Sequence, residues 1–342
     1  NLPLVAPRVY LTAFGTSHTS NGTDKLHGGA AAFFWDQSVY ATLQSLLDPV
    51  WMRGFLLSAL GGGKFDNNLF VDLLANEPGG GYWYAFNTVS VFWMLEGYLS
   101  VTNDRELLYD MPINGESVSE LLERLATNWT DPRWSSTSPE HKWLADYGGT
   151  ADNFLECIPT YVHTPAALQA QNVHMLRSVA RLREAEQYIS AAARLRELSD
   201  HVAGYTGAFS AWPALSAQSL ALLADESEGL SAAVVFLRDT AAATANGPYG
   251  QMQWVRPGDQ PPFKDLLPSG TRFLANCGGA FADVMLRRLF GYLPTLGFEE
   301  PTLWRPGLSR AELAGRLEGV RLPNGSFADI CADVAGVRFC RP

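Results

Sequence analysis

From Gly29 to about Phe290 one pattern recurs: a stretch with apolar residues at three- and four-residue spacing, then a loop rich in Gly, Trp, Tyr and Pro. This spacing predicts helices at residues 30–47, 50–60, 86–101, 115–127, 152–162, 165–198, 212–224, 228–245 and 276–290. In the first, Phe33, Val39, Tyr40, Leu43, Leu46 and Leu47 make one stripe, which Asp48-Pro49 ends. The aromatic, glycine-containing loops fall at 76–84, 143–152, 204–213 and 246–258. Helices joined by such loops read as hairpins stacked side by side. Those apolar over most of their surface form an inner layer, and amphipathic ones an outer layer. From about Leu308 the character changes to short β-prone runs at 313–320, 328–332 and 334–340 around Pro323-Asn324-Gly325, which predicts a small strand appendage. The chain therefore divides into a lead-in at 1–29 with a strand-prone run at 9–14, a helical domain at 30–305, and a β-rich segment at 306–342.

With 342 residues, 47% of them hydrophobic and 18% charged, the chain has ample material for one large core. The net charge of −10, with its basic residues scattered, argues against a nucleic-acid partner and against an anionic membrane surface. No apolar run approaches the ~20 residues that span a bilayer. The start at Asn1-Leu2-Pro3-Leu4, without Met, is the expectation for a processed, secreted chain. Sequons at Asn21, Asn128 and Asn324 are candidate glycosylation sites. Cys331 and Cys340 lie close enough for a local disulfide, which suits an oxidising compartment. Cys157 and Cys277, among small and apolar residues, read as buried thiols in preference to a long-range bridge. No Cys/His spacing suggests zinc, the six His residues form no HExxH, and neither a metal nor a cofactor is expected.

Chemistry concentrates where acids meet aromatics. In Phe33-Phe34-Trp35-Asp36-Gln37-Ser38-Val39-Tyr40 a carboxylate sits among four rings, which is costly unless it is hydrogen-bonded or meets a polar ligand. The plain alternative is an acid stabilised at a helix N-terminus. In Trp143-Leu144-Ala145-Asp146-Tyr147-Gly148-Gly149, followed by Asp152-Asn153-Phe154-Leu155-Glu156, capping accounts for Asp152 or Asn153 but not for Asp146 or Glu156. These two are the best acid/base candidates, because burial raises a carboxyl pKa toward working pH. Gly204-Tyr205-Thr206-Gly207, Trp212-Pro213, and Asn246-Gly247-Pro248-Tyr249-Gly250-Gln251 with Asn276-Cys277-Gly278-Gly279 fit either loops near a ligand or tight helix packing.

The order of these motifs resembles the six-hairpin glycosidases, in particular their glucosidase/trehalase-like and glycogen-debranching-like branch. The resemblance spans roughly residues 27–295. Its elements are Trp35-Asp36, Phe86-Asn87-Thr88-Val89-Ser90 entering a helix, Asp146-Tyr147-Gly148, Trp212-Pro213, and a small-residue helix before Phe290-Gly291. It implies an all-α (α/α)6 toroid that binds sugar at its mouth and inverts configuration, with Asp146 as proton donor. Trp35, Asp36 and Glu156 would line the pocket, with Tyr40, Trp83, Tyr84 and Asn87 as further sugar contacts. Tyr147, Trp212, Tyr249 and Gln251 complete the candidate contacts.

Two departures from the pattern matter. Relatives carry a carboxylate in the segment equivalent to 246–253, whereas here Gln251 and Gln253 stand there, and neither can deprotonate water. The predicted helices also fall short of six hairpins, so one hairpin is expected to be lost or to lie in chain not seen. Three readings follow: a glycoside hydrolase of oligo- or polysaccharide with Glu156 or Asp36 as the base, a carbohydrate-binding or structural glycoprotein that retains the toroid, and a polysaccharide lyase using Tyr161 and His163. The expected partner is carbohydrate, and the sequence leaves open whether the domain belongs to a larger assembly.

Overall fold

In the computed structural model the residues described are 38, 40–60, 86–111, 113, 115–130, 144–146, 164, 166–202, 285–293, 295–297, 314–333 and 336–340, with short strand pairs at 31–32, 71–72, 77–78, 136–137 and 302–303. Within them the chain is helix-rich and ends in a small antiparallel sheet. The helices are α1 (Ala41–Leu47), α2 (Pro49–Leu60), α3 (Phe86–Thr102), α4 (Val118–Thr127), α5 (Ala166–Ala185) and α6 (Ile189–Val202).

Local chemistry sets their ends. Asp48 closes α1, then caps α2 by accepting the Trp51 N–H at 2.9 Å, and Pro49 follows in the first helical position, where its missing N–H costs nothing. α3 is buried on every side from Thr88 to Val101 and ends at Asn103, whose φ of 49° is a left-handed conformation that Asn tolerates. Asp104 then accepts the Leu107 N–H, the Tyr98 hydroxyl and the Arg53 guanidinium, which pins the start of α2 to the end of α3. α4 opens with a capping box formed by Ser117 and Glu120, and it buries Val118, Leu121, Leu122 and Leu125 on one stripe.

The helices alternate in direction along the chain. α1, α3 and α5 are neighbours and run the same way, while α2 and α4 run back between them and α6 runs back against α5. α3 is the apolar centre, and its core continues through Met52, Leu56, Leu121, Leu125, Val173, Leu176 and Val179. Gly97 allows α3 to approach α1. A Cβ there would lie 2.9 Å from the Thr42 backbone nitrogen and 3.1 Å from the Ala41 Cβ. Gly97→Ala therefore lowers stability by about 1–3 kcal/mol although alanine is the better helix former. An unchanged or raised urea midpoint would count against this close approach.

Two predicted helices differ in the structure. Residues 31–32 of the expected 30–47 helix are a strand, β1 (Ala31–Ala32), which pairs with β2 (Val71–Asp72), and β2 pairs with β3 (Glu77–Pro78). The single helix expected at 165–198 is two, α5 and α6. The Tyr188 N–H bonds the Arg183 carbonyl and the Gln187 N–H bonds the Glu184 carbonyl, with Gln187 left-handed at φ 67°. This is the usual closing arrangement of a helix end, made here without glycine, so periodicity ran on through it. The predictions at 9–14, 152–162, 212–224 and 228–245 lie outside the described residues, as do Cys157 and Cys277.

The short pairs β4 (Ser136–Thr137) with β5 (Ala145–Asp146) and β6 (Tyr292–Leu293) with β7 (Thr302–Leu303) lie in the connections. The predicted appendage is present as β8 (Gly315–Arg321), β9 (Phe327–Asp333) and β10 (Gly336–Cys340), in sheet order β10-β9-β8. Cys331 and Cys340 form the expected disulfide, with Cα atoms 5.8 Å apart. Ile330, Ala332, Val320 and Val337 pack on Phe290, Tyr292 and Leu46, so the end of the chain docks beside the first helix. Among the described residues no helix is long and apolar enough to cross a membrane.

Candidate functional site

The helix directions sort the connections into two sets. At one end lie the short ones, Asp48 between α1 and α2, residues 103–117 between α3 and α4, and residues 186–188 between α5 and α6. The long connections, 61–85 and 131–165, leave from and return to the opposite end. That end is tied by Asn128 at the close of α4, whose amide donates to the Thr88 hydroxyl at 3.0 Å near the start of α3. β1 meets the first long connection through its pairing with β2.

Asp146 belongs to this end. β5 is held against α5 by the Gln169 side chain, which donates to the Ala145 carbonyl at 2.8 Å and accepts the Ala145 N–H at 3.3 Å. Leu144 and Ala145 are buried in the main core, Gln169 is buried with them, and Asp146 is half-buried opposite Ser136 of β4. The rigid helix N-terminus thus fixes the backbone, and the carboxylate stands one residue beyond the core.

The other sequence candidates distribute as follows. Tyr40 is buried at the entrance to α1, and its carbonyl accepts the Gln44 N–H at 2.8 Å. Asn87 lies in the first turn of α3. Trp35, Asp36, Trp83, Tyr84, Tyr147, Glu156, Trp212, Tyr249 and Gln251 lie outside the described residues, as do Tyr161, His163 and Asn21. Of the sequons, Asn128 is engaged with Thr88, whereas Asn324 is exposed in the β8–β9 turn, its Oδ1 accepting the Ser326 N–H and hydroxyl.

Sequence reasoning missed a polar cluster within the helix layers. Glu96 of α3 is 5% exposed, and its carboxylate meets the His174 Nε2 of α5 at 2.7 Å and accepts the Ser178 hydroxyl. Burial pushes this carboxyl up, but His174, the charge of Arg287 and the Ser178 bond outweigh it and bring it down to about 2. The His174 ring also meets Phe92 and Trp93 edge-on, at 6.4 and 6.2 Å. A signal was available: Glu96 is the lone charge in the α3 sequence, and a buried lone charge demands a partner. The partner is 78 residues away and could not be named from periodicity.

A second missed cluster sits at the short-loop end. Arg183 donates to Glu123, Glu186 and Ser119, tying the end of α5 to α4. Tyr109 also bonds Glu186, and burial followed by the Glu186 charge raises its phenol to about 12. Among the described residues no cluster of His, Cys, Asp and Glu has the grouping of a metal site. No protein-family model matches the chain, and no curated protein is similar to it.

Proposed function

We propose that the protein is a glycoside hydrolase-like toroid of helical hairpins acting on an oligo- or polysaccharide by inverting acid/base hydrolysis, with Asp146 as general acid. The observation that carries the proposal is topological: among the described residues parallel α1, α3 and α5 alternate with returning α2, α4 and α6, and the helix ends that flank 61–85 and 131–165 lie at the end where Asp146 stands. A toroid extends this alternation around a ring. In the sequence the acid- and aromatic-rich segments 33–40 and 83–87 immediately precede or enter α1 and α3, and 146–156 begins at Asp146. Inversion requires a second carboxylate across the scissile bond, a role for Glu156 or Asp36, with a water between the two groups. Trp35, Trp83, Tyr84 and Tyr147 supply flat faces that match the C–H faces of sugar rings.

A second reading, binding without hydrolysis, is favoured by Gln251 and Gln253 standing where relatives of the resembled family carry the base. The two separate in one assay. Wild type and Asp146→Asn are incubated with starch, xylan, cellulose and chitin, and reducing ends are counted. Hydrolysis predicts release by wild type that falls by about 10²–10⁴ in the variant. Retention of a polysaccharide by both proteins without release selects the second reading, and release that Asp146→Asn leaves unchanged removes Asp146 from the mechanism. Secretion accords with the Cys331–Cys340 disulfide.

A further inference from the structure

We infer that the short-loop end, away from Asp146, carries a separate binding cleft for a neutral, hydroxyl-rich ring such as one unit of an oligosaccharide. The cleft has a volume of about 970 Å³ and lies between the 105–109 turn, the start of α4 and the α5–α6 turn. Its base is rigid, because Arg183 is held by Glu123, Glu186 and Ser119. What the network leaves open is the relevant feature. Among the described residues Arg105 has no carboxylate partner and lies 5.2 Å over the Tyr109 ring. Gln187 and Ser190 line the cleft and make no side-chain hydrogen bond among the described residues, while Glu120 uses one carboxylate oxygen for its capping box. Tyr188, 61% exposed, stacks 5.8 Å from the Arg183 guanidinium.

The chemistry of these open groups selects the ligand class. Arg105 offers donors only, Glu120 acceptors only, and the Gln187 amide both. Sugar hydroxyls also donate and accept, and the ring's apolar face matches an exposed tyrosine. An anion is disfavoured, since three carboxylates (Glu120, Glu123, Glu186) line the cleft against two guanidiniums (Arg105, Arg183). A cationic peptide is disfavoured because Arg183 already engages Glu123 and Glu186. Gln187 adds an independent sign. It holds the left-handed φ of 67° at a helix end where glycine is the unstrained residue, so its side chain is retained at a conformational cost on the cleft's rim.

The test titrates the full chain with maltohexaose, cellohexaose, xylohexaose and chitohexaose, followed by saturation-transfer NMR and calorimetry. Gln187→Gly relieves the backbone strain, so loss of binding in that variant is not loss of fold. Tyr188→Ala removes the stacking face. The expected result is that at least one hexaose binds at a site that each variant weakens by about tenfold or more, whether or not a second site is occupied as well. Absence of binding by all four sugars, or binding insensitive to both cleft variants, overturns the cleft. So does inorganic phosphate occupying it in preference to the sugars. The outcomes are distinct from those of the hydrolysis test: a cleft that binds in a protein without turnover stands while hydrolysis fails, and turnover with an unoccupied cleft does the reverse.

Discussion

Replacing Glu96 by alanine lowers stability by about 3–5 kcal/mol, the cost of stranding the remaining members of a buried ionic cluster. His174 loses the carboxylate 2.7 Å from its Nε2, Ser178 loses its acceptor, and Arg287 loses a nearby opposite charge. The same group makes the fold acid-sensitive in a defined window. Its carboxyl sits at about 2 in the folded protein against an ordinary 4.5. As pH falls the unfolded chain binds the proton first, so the contribution is complete above about 4.5 and is lost on the way down to about 2. Linkage puts the amount lost on the order of 3 kcal/mol. Urea midpoints of wild type and Glu96→Gln, measured from neutral pH down to about pH 2, decide the matter. Wild type should lose stability steeply there and the variant should be flatter, whereas parallel profiles would show that Glu96 is not the titrating group.

Arg183→Met should cost about 3 kcal/mol, again because of what is left behind. The Arg183 side chain is 9% exposed and Glu186 is 10% exposed, so the substitution leaves an acid in a poorly hydrated place. Ser119 and Tyr109 still bond Glu186 but bring no positive charge. Pairing the substitution with Glu186→Gln should recover part of the loss, with a coupling of about 1 kcal/mol or more in the double-mutant cycle. Strict additivity would mean that Arg183 acts through packing of its stem alone. Glu123, 23% exposed and also engaged by Arg194, rehydrates more easily, so its substitution should cost less.

How much was legible follows from how local each signal is. α2, α3 and α4 are legible within a few residues, because apolar spacing and Asp48-Pro49 act over one or two helical turns. The hairpin at Pro323-Asn324-Gly325 was equally local, with Gly325 at φ 82° where a left-handed turn residue is needed. The division of α5 from α6 was missed because Gln187 occupies the position that glycine usually marks. β1 was read as helix because Ala31 and Ala32 suit either state and only pairing with Val71 and Asp72 distinguishes them.

For the site, residue types pointed to Asp146 as an acid out of place in an aromatic–glycine loop. Nothing in that pattern identified Gln169 as the side chain that would brace the strand beneath it. By itself the sequence determined a helical succession with a disulfide-closed strand segment, since backbone periodicity and turn chemistry are local properties. Only the tertiary structure decided that Glu96 would meet His174, that Arg183 would gather Glu123 and Glu186, and that the long connections would share one end with Asp146. Those facts depend on which helix faces meet across tens of residues of chain, and a buried charge finds its partner only when the core has closed around both.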